Sequence, residues 1–216
     1  MKREKKYNGL AYLLLVAIGL VITFPFMWMI FACFKSNAEI LGSTKLLPSY
    51  YSMDAFIKGW NGVGNITFAT YFKNTFLMVV PTVILTVFSC SFVAFGFARF
   101  RFPFKKLCFA LMISTLMLPN SVIIIPRYLI FNKLGLLNTY WPFYLPAAFA
   151  CFPFFIFMIV QFLRGVPREL DEAAYIDGCS SLRLYFKILL PLIKPALFSA
   201  GLFQFMWTWN DFFNTL

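Results

Sequence analysis

The residues whose types and spacing bear on mechanism gather in one stretch, Glu172 to Pro191, EAAYIDGCSSLRLYFKILLP, a polar island between apolar runs. It offers docking and leverage rather than catalysis, and no catalytic residue is assigned. The chain has no histidine, which excludes a His-based triad or a His-ligated metal, and no GxxxxGK[ST] sequence through which a P-loop would hydrolyse ATP. Its five cysteines, Cys33, Cys90, Cys108, Cys151 and Cys179, show neither CxxC nor metal-ligand spacing and read as small hydrophobes; no metal and no cofactor is expected. The local signals predict two short helices. The first begins near Pro167 with Glu169, Asp171 and Glu172 in its early turns, where the helix dipole favours acids, and Gly178 ends it. Ser180 or Ser181 then caps a second helix, in which Leu182, Tyr185, Phe186 and Leu189 recur at i, i+3, i+4 and i+7, and Pro191 closes it. Leu170, Ala173 and Ala174 share one side of the first helix, where alanines would let a partner surface seat closely. An amphipathic segment resting on a membrane fits the same pattern.

The elements that must position this loop are membrane spans. Of 216 residues 61% are hydrophobic and 12% charged, against about a quarter charged in soluble domains. About 20 apolar residues cross a bilayer, and five runs qualify: Leu10 to Phe34, Asn74 to Ala98, Leu107 to Pro126, Tyr140 to Leu163, and Pro195 to Leu216, the last interrupted by Asp211. The fold class expected is an all-α membrane protein, a polytopic helical bundle with a cytoplasmic two-helix loop over residues 164–194. Residues 1–9 form a cytoplasmic N-terminus and residues 10–216 a single transmembrane domain. The first apolar run is too long for a secretory signal, whose core spans about 7 to 15 residues, so it reads as a retained span, kinked near Pro25. The net charge of +11 is spread over the connections rather than gathered in a stripe, which argues against nucleic acid. With the N-terminus inside, the cytoplasmic segments hold Lys2, Arg3, Lys5, Lys6, Arg99, Arg101, Lys105, Lys106, Arg164, Arg168, Arg183, Lys187 and Lys194 of the 19 bases, in accord with the positive-inside bias.

Three spans carry features of their own. In the second, Thr75, Thr82, Ser89 and Gly96 recur every seventh residue with Thr86 on the same side, a stripe that lets another helix approach. In the third, Leu118-Pro119-Asn120 should break or bend the helix, because proline lacks the donor for the preceding turn; a border to a pathway and a plain kink both fit. In the fifth, Leu202, Phe205, Met206, Trp209, Phe212, Phe213 and Leu216 fall on an apolar arc, opposite Gln204, Trp207, Thr208, Asn210, Asp211, Asn214 and Thr215. Such a helix turns its polar arc toward a cavity or another helix. Gln204, Trp207, Asn210 and Asp211 are therefore substrate-path candidates, with Asn210 and Asp211 as braces of a helix break as the alternative.

Glu172-Ala173-Ala174, Gly178, Ile188 and Leu190-Pro191 match, without a gap, the EAA signature of permease subunits of ATP-binding-cassette importers. Pro167-Arg168-Glu169-Leu170 and Ile176-Asp177-Gly178 resemble its carbohydrate-uptake branch, similar to the smaller maltose-type permease. Weaker matches run along the chain: Asn74-Thr75, Phe97-Ala98-Arg99-Phe100, Leu118-Pro119, Asn138-Thr139-Tyr140 and Trp209-Asn210-Asp211-Phe212. The resemblance implies a multi-pass subunit in a bacterial cell membrane, paired with a second permease as a heterodimer, two cytoplasmic ATPase subunits and an extracytoplasmic solute-binding protein, with a sugar or oligosaccharide as cargo. It implies that Glu172, Ala173, Ala174 and Gly178 form the helix and elbow docked on the ATPase, while Ile188, Leu190 and Pro191 join them to the fifth span. Members of the family have six spans, so a chain with five reads as C-terminally truncated. A secondary transporter subunit, expected to show inverted repeats and intramembrane ion-coupling residues, and a non-transporting scaffold or remnant are the alternatives.

Overall fold

The computed structural model describes residues 9–62, 64, 66–212 and 215. Lys2, Arg3, Lys5 and Lys6 of the expected cytoplasmic N-terminus, and Phe213, Asn214 and Leu216 of the two arcs, lie outside the described residues. The regular elements among these residues are helices, with no strand, and the chain divides into two compact units, Met1–Phe72 and Lys73–Leu216.

In the first unit α1 (Gly9–Ala32) is apolar on all sides and runs through Pro25. Two short helices follow, α2 (Asn37–Gly42) and α3 (Asp54–Asn61). Ser36 caps α2 by accepting from the Glu39 amide, and the Glu39 carboxylate accepts from the Ser49 amide at 2.8 Å. Lys35 is buried and donates to the Lys45 carbonyl, while the Phe34 ring packs on Tyr51 and Phe56.

The second unit is built on α4 (Phe68–Arg99), which starts at the end of the first and whose 32 residues exceed the roughly 20 that cross a bilayer. The face it buries is Val79, Thr82, Thr86, Cys90, Ala94 and Ala98, a spacing of three and four. It shares Thr82 and Thr86 with the expected stripe, whose Thr75, Ser89 and Gly96 are only half-buried. Packed against it are α8 (Pro153–Gly165) and the later helices, around Phe155, Ile159, Leu163, Leu184, Tyr185 and Leu189.

The expected third span is not one straight helix. α5 (Lys105–Ser114) and a 3-10 turn (Thr115–Met117) meet α6 (Asn120–Lys133) at 103°. Leu118, held extended at φ −77 and ψ 121 by the proline after it, makes the corner. The interval between the third and fourth expected runs is thus helical as far as Lys133. α7 (Trp141–Ala148) and α8 together form one candidate span. Among the described residues three helical stretches are long and apolar enough to cross a membrane, or up to five if each bent pair is one span.

Candidate functional site: the elbow between two spans

After α8 the chain enters the polar island. α9 (Glu169–Ile176) opens with Glu169, Asp171 and Glu172 in its first turn. Its buried residues are Asp171 and Ala174. The Asp171 carboxylate lies 2.9 Å from Arg99 Nε at the end of α4, and the two side chains are 12% and 6% exposed. Arg99 Nη2 also donates to the Val166 carbonyl at 3.1 Å, and Arg168 Nη2 to the Ala98 carbonyl at 3.4 Å. These contacts tie the short helix to the end of a span. Burial pushes the Asp171 carboxyl above its ordinary value; Arg99 and Arg168 pull it back only in part, and Glu172 adds to the rise.

The grouping of Leu170, Ala173 and Ala174 on one docking side is corrected by this arrangement. Ala174 turns inward with Asp171, while Glu169, Glu172, Ala173 and Ile176, spaced i, i+3, i+4 and i+7, form the outward face. On that face Ile176 is 86% exposed. The ion pair decides the rotation, since a charged pair formed to Arg99 can be satisfied with only one side of the helix inward.

The elbow is a Schellman closure. Gly178 sits at φ +76, its amide bonds the Tyr175 carbonyl at 3.1 Å, and the Cys179 amide bonds the Ala174 carbonyl at 2.9 Å. Ser180 caps the next helix by accepting from the Arg183 amide, and the Tyr175 and Ser181 hydroxyls lie 3.0 Å apart. The second helix is α10 (Ser181–Leu184), a π turn over Tyr185–Leu189, and α11 (Leu190–Leu192). Its buried face is Leu184, Tyr185, Leu189 and then Ile193, whereas Leu182 and Phe186 of the expected stripe are exposed. A π turn takes more residues than an α turn and so shifts the face. Pro191 does not close the helix but lies in α11 two residues past that wide turn, exposed, with Ile188 and Leu190 half-buried. Tyr185 is wholly buried, its hydroxyl 2.7 Å from Ser91 Oγ of α4.

At Ile193 the chain bends by 76° into α12 (Lys194–Trp209). This helix spans about 24 Å at 1.5 Å per residue and ends at Trp209, shorter than the expected run from Pro195 to Leu216. Its buried stripe is Ala196, Ala200, Gln204 and Thr208. A methyl at Gly201 would lie 3.6 Å from Val87 and 3.7 Å from Val83, so α12 packs closely on α4. Gln204 Nε2 donates to Thr208 Oγ1 at 2.9 Å, while Gln204 Oε1 is buried without a hydrogen bond. Trp207 is half-exposed and its ring meets Phe154, Phe155 and Phe203. Asn210 Nδ2 donates to the Met206 carbonyl at 2.8 Å and so caps the helix end, and Asp211 is half-buried beyond it. The single polar arc therefore divides: Gln204 and Thr208 face protein, Trp207 joins an aromatic cluster, and Asn210 and Asp211 lie past the last turn.

Tyr185 stands in the stripe expected of the second helix, but its bond to Ser91 and the pairing of Arg99 with Asp171 were not expected from the sequence. Arg99 carried a signal, as a base directly ending an apolar run; the pairing of Tyr185 with Ser91 carried none.

A short helix paired to the end of one candidate span, turned by a glycine and led on into a further apolar helix, belongs to a class of polytopic helical membrane proteins. The chain belongs to the family of binding-protein-dependent transport system inner membrane components, whose model matches residues 90–215. It is 35% identical over 213 residues to a probable ABC transporter permease of Bacillus subtilis (strain 168), covering 97% of this chain and 69% of that protein. An arabinooligosaccharides transport system permease of Halalkalibacterium halodurans is 33% identical over 198 residues, covering 90% and 70%. A chain in the crystal structure of a bacterial ABC transporter involved in the import of the acidic polysaccharide alginate shares the fold, with a TM-score of 0.81, 23% identity, and coverage of 98% of this chain and 74% of that one.

Proposed function

We infer that the chain is a permease subunit of an ATP-driven carbohydrate importer, with a cytoplasmic N-terminus, and that it forms half of the pathway beside a second permease. The observation that carries the coupling role is the outward face of α9: Glu169, Glu172, Ala173 and an 86% exposed Ile176 on a helix whose other side is held by the Arg99–Asp171 pair. An isoleucine displayed on a short, firmly held helix suits insertion into an apolar groove of an ATPase subunit, with Glu172 at the rim and Ala173 allowing close approach. Gly178 fixes the angle, and Ile188, Leu190 and Pro191 transmit the groove's motion to α12. The carbohydrate named for the relative from Halalkalibacterium halodurans supports a sugar as cargo. Trp207, Asn210 and Asp211 then border the path, and the buried Gln204 braces Thr208 behind them.

The test is thiol crosslinking in the assembled complex, with the native cysteines replaced and one cysteine introduced by Ile176→Cys. Crosslinking to the ATPase that changes in yield on ATP binding is the expected result. Failure from Ile176→Cys and Ala173→Cys alike sinks the coupling role. Sugar uptake that survives ATP depletion and collapses with the ion gradient overturns the importer reading itself.

A further inference from the structure

The turn between α4 and α5 holds a feature that transport does not use. Arg101, Phe102, Phe104, Lys105 and Lys106 line a shallow hollow. Lys105 Nζ donates to the Phe100 carbonyl at 2.7 Å, which holds its ammonium at the wall. Arg101, Arg164 and Arg168 all lie close enough to Lys105 to repel it. The Arg164 guanidinium sits 5.3 Å over the Phe109 ring, and Phe97 packs against both Phe102 and Phe109. The Asp171 carboxylate, buried nearby, is paired with Arg99. Arg101, Lys105 and Lys106 thus line a hollow beside two exposed phenylalanines, and Arg164 and Arg168 add positive charge close to Lys105.

We propose that this hollow is a site for an anionic glycerophospholipid, its phosphate held by Arg101, Lys105 and Lys106 and its glycerol and first acyl carbons lying on Phe102 and Phe104. Two observations select a lipid over a dissolved anion or a protein surface. The hollow lies where α4 ends and α5 begins, each part of a candidate membrane crossing, so it sits at the membrane boundary. Phe104 is 75% and Phe102 40% exposed, beside the cations. Exposed rings flanked by bases suit the headgroup layer, where one end of a ligand is apolar and the other charged.

Amine-reactive labelling of Lys105 and Lys106, mapped by mass spectrometry, tests this on the assembled complex. The complex is placed in nanodiscs of phosphatidylcholine alone or of phosphatidylcholine with phosphatidylglycerol. Near a membrane surface each basic residue is worth about fivefold in affinity for anionic lipid, so labelling should fall about fivefold or more when phosphatidylglycerol is present. Phosphatidylglycerol should also be retained after purification, a preference kept by Arg101→Lys with Lys105→Arg and lost in Arg101→Gln with Lys105→Gln. Equal labelling in both discs overturns the proposal. So does equal protection by inorganic phosphate in detergent, which would make the hollow a free-anion site. Protection already complete in phosphatidylcholine alone overturns it too, since a protein partner would then be covering the lysines. None of these readouts depends on uptake, so the outcome is separate from that of the transport reading.

Discussion

α9 and α12 lie on either side of the same elbow, and each turns polar groups inward and apolar ones outward, yet the buried polar groups find their partners in different places. α9 turns a carboxylate inward and shows Ile176 to the outside; α12 turns Gln204 and Thr208 inward and shows Leu202 and Met206. In α9 the buried charge has a partner on another helix, Arg99 of α4. In α12 the buried amide finds its partner one turn along its own helix and leaves Oε1 without a hydrogen bond. The first arrangement fixes where a helix sits relative to a span; the second fixes nothing outside the helix. A lever needs the first kind of contact. A wall that must slide against neighbours can use the second.

The largest expected effect breaks this difference at its source. Arg99→Ala leaves a buried carboxylate without its neighbour, and loss of one partner of a buried pair costs about 3 to 5 kcal/mol. We expect the thermal stability of the detergent-purified complex to fall steeply and ATP-dependent uptake to be lost. Asp171→Asn should cost less, because Arg99 keeps the Val166 carbonyl. In the Arg99→Ala, Asp171→Asn cycle the double variant should be less damaged than the sum of the singles. Strict additivity would mean that the pair does not hold α9.

Next in size is the elbow. At φ +76 Gly178 has nothing within 4 Å of where a methyl would go, so Gly178→Ala carries a conformational cost alone, about 1 to 2 kcal/mol. Gly178→Asn should recover part of it, since asparagine tolerates the left-handed region. The expected signature is reduced coupling, read as ATPase activity no longer stimulated by loaded binding protein, with the complex still assembled. Alanine and asparagine variants that behave alike would remove the backbone explanation.

Much of this elbow was legible in the sequence, because a Schellman closure at Gly178 and a cap at Ser180 are written in neighbouring residues. The rotation of α9 was not, since it depends on Arg99, which is remote in sequence. Nor was the phase of the next helix, where a π turn moves Leu182 and Phe186 outward and Leu184 inward. In the third span Pro119 marked where the chain bends, but a proline's missing donor does not by itself specify the 103° between α5 and α6. In α12 the arcs followed helical geometry correctly as far as Trp209, then extended it past the helix end.

A smaller effect concerns pH. Burial raises the Asp171 carboxyl above 3.8, so the folded chain holds that proton more tightly than the unfolded one. The titration of this group therefore favours the fold as pH falls toward 3.8, and that contribution is lost as pH rises through the raised value. Compared with Asp171→Asn, which cannot titrate, the wild type should gain stability on acidification. Melting curves of the two purified complexes over this range check the sign. A wild type that loses ground instead would mean that Arg99 and Arg168 outweigh burial.

The smallest expected effect falls on α12, and it is informative because it is small. Gln204 has a buried oxygen without a hydrogen bond, and its amide serves only Thr208. Removing the unbonded buried oxygen relieves a desolvation cost that offsets the single bond lost at Thr208 Oγ1. Gln204→Leu should therefore leave both stability and uptake close to wild type. Trp207→Ala, by contrast, removes a half-exposed ring from contact with Phe154, Phe155 and Phe203 and should lower uptake with a change in sugar preference. If Gln204→Leu abolished uptake without loss of stability, the free Oε1 would be facing cargo in another state of the cycle. The contrast with α9 would then fail at its weaker end, because α12 too would be held for function by a polar group rather than merely filled by one.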